Sequence, residues 1–245
     1  MTCYPRPITS IHQIEVSTRC NLRCTYCPSR HLDKPIAKGG SGRAKIDISM
    51  EHYKRALHWA QFFQVWGTQG ELALTGIGEA LLHPNFVEMV ALARKALPRN
   101  LITFSTNGLL LDDELCSALE PYQPAIYVST HRPEKAGPAI NAARRHGLLA
   151  GTNTSFATDA FDWAGEVNWE VSIEQDSVTC EYLRTGWAVV LSDGRMATCC
   201  LDAEGASTVG HVDDAPGSLS IAPWAGERQS CEQCHMRVPE EVELR

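Results

Sequence analysis

The run Cys20-Asn21-Leu22-Arg23-Cys24-Thr25-Tyr26-Cys27-Pro28 sets three thiols at a C-x3-C-x2-C spacing. Three thiolates are one fewer than a cubane of four irons needs, so one iron of such a cluster keeps an open coordination position. An open iron can bind a substrate, whereas a cluster held by four thiolates passes electrons. A zinc knot, a nest of disulfides and chance are the competing readings. Zinc closes four ligands and usually takes them as CxxC pairs, which the triplet fits poorly.

Working outward, the 245 residues allow one sizeable domain and a small appendage, and a 44% apolar content is ample for a core. With 22 basic against 29 acidic residues and a net charge of -7, nothing marks an electrostatic footprint for nucleic acid or anionic lipid. No apolar run reaches membrane-spanning length, and Met1 to Arg6 lack the apolar centre of a signal peptide. The expectation is a cytoplasmic protein with neither nucleic acid nor membrane as partner. In that reducing compartment ten cysteines point to metal ligation rather than disulfides.

Ile11 to Val16 alternates like a strand and runs into the cysteine loop. The Gly-rich stretch Lys34 to Lys45 lacks the order of a phosphate-binding loop and reads as a connector. Ser49 is a fitting N-cap for a helix from Met50 to Trp66, with Tyr53, Leu57, Ala60 and Phe63 or Gln64 at helical spacing. Strand and helix then alternate. Strands are predicted at Glu71–Thr75, Leu101–Ser105, Ala125–Thr130, Leu148–Asn153 and Val167–Ile173, and helices at Pro84–Leu97, Asp112–Leu119 and Pro133–His146. Such alternation implies parallel strands, here an α/β fold in the form of a partial, open (β/α)6 TIM-like barrel, with functional groups at the C-terminal ends of the strands.

The cysteine run resembles the CxxxCxxC signature of the radical S-adenosylmethionine (SAM) superfamily, and Tyr26 before the third cysteine also matches, at a place that lies near the adenine in that family. The resemblance implies a 4Fe-4S cluster held by Cys20, Cys24 and Cys27, SAM chelated to its fourth iron, and a flavodoxin- or ferredoxin-type reductant. Thr75-Gly76-Ile77-Gly78-Glu79-Ala80 is similar to the family's Gly-Gly-Glu-Pro bend, with Ile77 and Ala80 replacing its first Gly and its Pro; Gly78 and Glu79 would meet SAM's amino group. Ser105 and Asn107, in Ser105-Thr106-Asn107-Gly108, match a family strand end whose polar groups reach SAM. Ser129, ahead of His131, stands where the ribose or the substrate would be. Each mark has a bland reading as a turn or a surface group; their succession at strand ends is what carries weight.

Beyond Ser177 the alternation stops, so the expected domains are 1–176 and 177–245. Trp187–Leu191 and Arg195–Thr198 flank Ser192-Asp193-Gly194, a hairpin signal. Four residues separate Gly194 from Cys199, and Val209 to Val212, Trp224 and a CxxC follow. This order resembles the small twitch form of the SPASM extension. The resemblance implies an auxiliary 4Fe-4S cluster on Cys180, Cys199, Cys231 and Cys234, with Cys200 the competitor for Cys199. Zinc is the alternative, with His235 nearby, and Cys3 and Cys116 fall outside both sets.

Two clusters fit a two-electron oxidation of a small-molecule alcohol to a carbonyl, and the architecture is similar to the twitch-bearing 2-deoxy-scyllo-inosamine dehydrogenase type. The alternatives are a maturase or epimerase acting on a short ribosomal peptide, and a non-catalytic zinc module. Glu170 and Glu174 sit near the expected barrel mouth, but no residue is singled out as a general base.

Overall fold

The computed structural model describes residues 6–24, 27–33, 43–65, 70–130, 132–153, 178–180, 183, 185–221 and 237–239, with backbone alone at 6, 30, 31, 65, 178–180, 221 and 237–239. The expected strand at 167–173 and the division at 176/177 lie outside these residues.

Five strands alternate with four helices in the first part of the chain. A short β1 (Arg6–Pro7) leads to β2 (Ser10–Ile14), and then come α1 (Met50–Val65), β3 (Glu71–Ala73), α2 (Phe86–Ala96), β4 (Leu101–Thr106), α3 (Asp113–Leu119), β5 (Ala125–Ser129), α4 (Pro133–Arg145) and β6 (Leu149–Asn153). The helices begin where local chemistry satisfies their first amides. Ser49 Oγ accepts from the His52 N–H at 3.0 Å and Asp112 Oδ1 from the Leu115 N–H at 2.9 Å, while α4 opens on Pro133, which has no N–H to satisfy. Phe86, Met89, Val90 and Ala93 form the buried stripe of α2, and Tyr53, Leu57, Ala60 and Phe63 that of α1. The four buried alanines of α4, Ala136, Ala139, Ala142 and Ala143, let its backbone sit close to the sheet.

β2, β3, β4, β5 and β6 lie side by side and parallel. A strand in the middle of a parallel sheet is covered on both faces, which is why β4 buries Ile102, Thr103 and Phe104 in succession instead of alternating. On the other side of β2 the sheet continues into residues from the C-terminal part. β8 (Trp187–Val190) pairs parallel with β2, and β9 (Arg195–Ala197) and β10 (Thr208–His211) follow antiparallel. One eight-stranded sheet in the order β10-β9-β8-β2-β3-β4-β5-β6 results, open at β10 and β6 and therefore not a closed barrel. The predicted hairpin at 187–198 is present, and it is built into the same sheet as the cysteine-bearing strand.

Two small pairings complete the fold. β7 (Val178–Cys180) runs antiparallel to β12 (Arg237–Pro239), with Cys180 opposite Arg237, and β1 pairs with β11 (Ser220–Ile221). The polar tips of two buried aromatics are satisfied: Tyr53 Oη donates to the Met89 carbonyl at 2.7 Å and Trp59 Nε1 to the Val212 carbonyl at 3.3 Å. Cys116, outside both cysteine sets, is fully buried beneath α3, and burial followed by the nearby Asp113 and Asp112 charges pushes its thiol up to about 11. Among the described residues no helix is long and apolar enough to cross a membrane.

Candidate active site

The C-terminal ends of β2 to β6 converge on one cavity of about 250 Å³. That is just below the roughly 300–1,000 Å³ of small-molecule clefts. Its wall carries Cys20, Cys24 and Cys27, then Thr75 to Glu79 after β3, Ser105 to Asn107 at the end of β4, Ser129 at the end of β5 and Asn153 at the end of β6. The cysteine triplet and every predicted SAM-facing residue except Tyr26 therefore share one space. Tyr26 and His131 lie outside the described residues, as do Cys231 and Cys234.

The loop bearing the cysteines leaves β2 through Glu15 to Arg19, a stem that the chain pins on all sides. Thr18 Oγ1 donates toward the Ala44 and Ile46 carbonyls, both at 3.0 Å, and accepts from the Ile46 N–H at 2.7 Å. The Arg19 guanidinium forks onto the Asp47 carboxylate and also donates to the Leu82 carbonyl at 3.1 Å. From the other side, the Glu79 N–H donates to the Arg19 carbonyl at 2.7 Å. Gly78 lies so close to this stem that a Cβ there would stand 2.6 Å from the Arg19 carbonyl oxygen and 2.7 Å from the Thr18 carbonyl carbon, besides striking the Ser17 carbonyl oxygen. Those are backbone atoms that cannot rotate away. We expect Gly78→Ala to cost about 1–3 kcal/mol of overpacking, seen as a lower urea midpoint and a raised KM for SAM; unchanged values of both would show that the loop is not held against the stem.

Glu79 is 3% exposed, and both its carboxylate oxygens are occupied. Oε1 accepts from Thr106 Oγ1 at 2.7 Å and the Leu81 N–H at 3.3 Å, and Oε2 from the Asn107 N–H at 2.8 Å. The side chain thus ties the bend after β3 to the end of β4, leaving the backbone of the bend to face the cavity. The tie aims Asn107, whose Nδ2 donates to Asn21 Oδ1 at 2.7 Å and lies 4.0 Å from Cys20 Sγ. Burial raises the Glu79 pKa, against the lowering pull of the Asn107, Thr106 and Leu81 donors. A raised folded value means that Glu79 adds stability below the unfolded carboxylate's ~4.3 and that this is lost as pH rises through the folded value. Comparing urea midpoints of the parent and Glu79→Gln from pH 4 to pH 8 should therefore give a difference that drifts against the parent with rising pH; a flat difference would refute it.

The cysteines themselves fit an iron-sulfur cluster. Burial, first, raises the Cys20 thiol, and charges on Glu79, Cys27 and Cys24 add to this while the Leu22 N–H opposes it at 3.4 Å. A coordinated cation removes a thiol proton outright. The Cys27 sulfur lies 3.3 Å from Ser29 Oγ and 3.7 Å from the Ile77 carbonyl, which joins the triplet to the bend after β3. Tetrahedral zinc with ~2.3 Å bonds would draw its thiolates to about 3.8 Å of one another. The triplet supplies three thiolates, one short of the four that a closed zinc site takes.

Gln13, Asn153 and Leu201 escaped the sequence reading as lining residues, and Cys200 entered it only as the competitor of Cys199 for a cluster. Asn153 could have been found, since it ends a predicted strand and the rule that strand ends carry function applies to it; it stands opposite Ser129, with Nδ2 3.5 Å from Ser105 Oγ. Cys200 could not, because only the turn after β9 decides which of two adjacent thiols faces the cavity. Cys200 lines it and Cys199 does not, its sulfur instead accepting from the Leu201 N–H at 3.4 Å. For the second cysteine set the structure supplies the Cys180 backbone, held opposite Arg237, three positions after Cys234 in sequence.

Residues 14–173 match the radical SAM superfamily, and the chain belongs to it. Members of that superfamily carry a 4Fe-4S cluster and bind SAM. Among curated proteins the chain is 27% identical over 209 residues, 75% of its own length and 57% of the relative's, to GTP 3',8-cyclase of Streptomyces coelicolor. It is 30% identical over 107 residues, 43% of the chain and 26% of the relative, to the tungsten-containing aldehyde ferredoxin oxidoreductase cofactor-modifying protein of Pyrococcus furiosus. The chain thus spans between about a quarter and somewhat over half of these relatives. Among solved structures, BtrN in complex with AdoMet and 2-DOIA superposes with a TM-score of 0.69 at 18% identity, covering 93% of this chain and 85% of that one. anSMEcpe with bound AdoMet and the Cp18Cys peptide gives 0.57 at 14% identity, covering 91% and 81%. These likenesses show a shared partial-barrel fold.

Proposed function

We propose that this chain is a radical SAM dehydrogenase that oxidises the alcohol of a small polyol or amino sugar to a carbonyl. The observation that carries the reading is the meeting of Cys20, Cys24 and Cys27 with the strand-end groups of β3 to β6 in one small-molecule-sized cavity. When bound, the cluster on these cysteines supplies the electron that splits SAM's sulfonium into a 5'-deoxyadenosyl radical, the species that takes a hydrogen atom from the substrate carbon.

The chain's own groups bind and orient. In this scheme backbone carbonyls of the bend at Gly76 to Gly78, which lines the cavity, accept from SAM's amino group, while Glu79 holds the bend to Asn107. Ser105, Ser129 and Asn153 supply hydroxyl and amide partners at the far strand ends for the ribose or a hydroxylated substrate. The wall left by Ile77, Leu22 and Leu201 is apolar and limits water. The second electron of the oxidation is assigned to an auxiliary 4Fe-4S cluster on Cys180, Cys199, Cys231 and Cys234. That assignment is supported by the β7–β12 pairing, which sets Cys180 close in space to the segment following the CxxC, and by Cys199 being turned from the cavity. A flavodoxin- or ferredoxin-type protein is the reductant in this scheme.

The test is anaerobic reconstitution followed by iron and product analysis. The scheme expects about eight irons per chain, and about four would remove the auxiliary site. Incubation with a panel of polyols and amino sugars should give 5'-deoxyadenosine and carbonyl product in equal amounts. Turnover of a short precursor peptide in place of every sugar would replace this reading with peptide modification.

A further inference from the structure

On the rim of the sheet, apart from the cavity, the first turn of α1 meets the β8–β9 turn and the end of β10. His52, His211 and Asp213 offer three ligand atoms that all lie within 4.8 Å of one another. None of the three lines the cavity described above. We propose that they bind a borderline divalent metal ion, represented by zinc, which clasps the β8–β9–β10 extension onto the barrel's first helix.

Donor roles around His211 carry the argument. Its Nε2 lies 3.1 Å from the Asp193 carbonyl, which can only accept, so the ring proton sits on Nε2. Donation of the far ring N–H to a backbone carbonyl is the usual support of a metal-bound histidine. In the neutral tautomer so defined Nδ1 keeps its lone pair, and it faces Asp213 Oδ2 at 3.2 Å. Two acceptors so placed repel unless a cation lies between them. The Asp213 N–H reaches the same Nδ1 at 3.2 Å, a long contact that opposes a proton there and that a metal ion would replace.

His52 completes the set. Its ring stands edge-on to that of His211, with centroids 5.0 Å apart and planes at 83°, and neither of its ring nitrogens has a hydrogen bond among the described residues. The two rings close over Gly194, at φ +88°, where a Cβ would fall 2.7 Å from His211 Cε1 and 2.9 Å from His52 Nδ1. Any side chain at that turn would push the histidines apart. The charged neighbours leave the site open. Arg55 binds the outer oxygen, Asp213 Oδ1, at 2.5 Å and Glu51 at 2.7 Å, and Asp214 Oδ2 is engaged by the His211 N–H at 2.8 Å. Oδ2 of Asp213 therefore remains for the ion.

Two imidazoles and one carboxylate suit zinc, cobalt, nickel or copper rather than calcium or magnesium, and three protein ligands leave water the fourth position. The consequence is mechanical. Cys199 and Cys200 lie between β9 and β10, so an ion joining the ends of these strands to α1 would steady the segment that presents Cys200 to the cavity.

The inference does not depend on the proposed reaction, and zinc counting on the full-length protein tests it. Protein loaded anaerobically with iron and sulfide, so that its thiols are occupied, is dialysed against micromolar zinc and analysed by mass spectrometry. The parent should hold one more zinc per chain than His52→Asn/His211→Asn. Cobalt should give a visible d–d band in the parent that the variant lacks. Should the double variant fold poorly by circular dichroism, His52→Asn alone decides, because the half-buried His52 ring makes no hydrogen bond among the described residues that its loss would break. Equal zinc in parent and His52→Asn overturns the proposal, as does a nitrogen NMR signal showing His211 protonated on both nitrogens in the presence of zinc.

Discussion

Replacing Cys20, Cys24 or Cys27 with alanine is expected to remove SAM cleavage altogether, bringing 5'-deoxyadenosine to the level of a protein-free control. Each of these sulfurs faces the same cavity, and the loop that carries them is fixed by Thr18, Arg19 and the Glu79 amide whatever metal is present. The polypeptide should therefore stay folded while one ligand is lost, and two sulfurs cannot hold a cubane that needs three from the protein. Iron content should fall by about four atoms per chain. Cys116→Ala serves as the control, since that thiol is buried away from the cavity beneath α3, and it should leave iron and cleavage intact. A triplet variant that still produced 5'-deoxyadenosine at the parent's rate would sink the assignment of the site.

The second large effect is on stability. Arg43 and Glu15 form an ion pair with only 5% and 3% of their side chains exposed. Glu15 Oε1 also accepts from the Ser192 N–H at 3.1 Å and from Ser192 Oγ at 2.9 Å, and Arg43 Nη1 donates to the Ala203 carbonyl at 2.8 Å. Four segments distant in sequence thus meet on one buried pair: the stem leaving β2, the stretch before α1, the β8–β9 turn and the loop after Cys200. Arg43→Met leaves a buried carboxylate without its counter-charge, and breaking such a pair costs about 3–5 kcal/mol. Glu15→Gln combined with Arg43→Met keeps an acceptor for Ser192 and removes the stranded charge, so the double variant should be the more stable of the two. Urea midpoints of parent, singles and double, taken anaerobically, read this directly. A cost for Arg43→Met below about 1 kcal/mol would mean that the pair is open to water.

Much of the architecture could be read from local chemistry. The stripe Tyr53, Leu57, Ala60 and Phe63 identified α1, Ser49 and Asp112 marked helix starts, and runs such as Leu101 to Ser105 identified parallel strands, because helical and strand periodicities are short-range properties of the chain. The resemblance to the superfamily's strand-end motifs pointed to Gly78, Glu79, Ser105, Asn107 and Ser129, all of which line the cavity. The pattern did not reveal that β8 joins the sheet beside β2. Trp187 to Val190 reads equally well as half of a detached hairpin, and the choice of partner edge is made by packing and by Glu15 bonding to Ser192, not by any local signal. The role of the Glu79 side chain was hidden for the same reason, its partners lying at Thr106 and Asn107, 27 and 28 positions away.

The sequence by itself determined the chemistry: a C-x3-C-x2-C spacing leaves three sulfurs for a four-iron cluster, and alternating apolar patterns commit the chain to strands and helices in turn. Covalent spacing and side-chain period survive in one dimension, which is why both could be read there. Only the tertiary structure decided which groups face one another: that Cys200 rather than Cys199 enters the cavity, that the hairpin extends the barrel's own sheet, and that His52 meets His211. Those outcomes depend on which buried surfaces and hydrogen-bond partners fit across long sequence separations, a property that no stretch of residues carries alone.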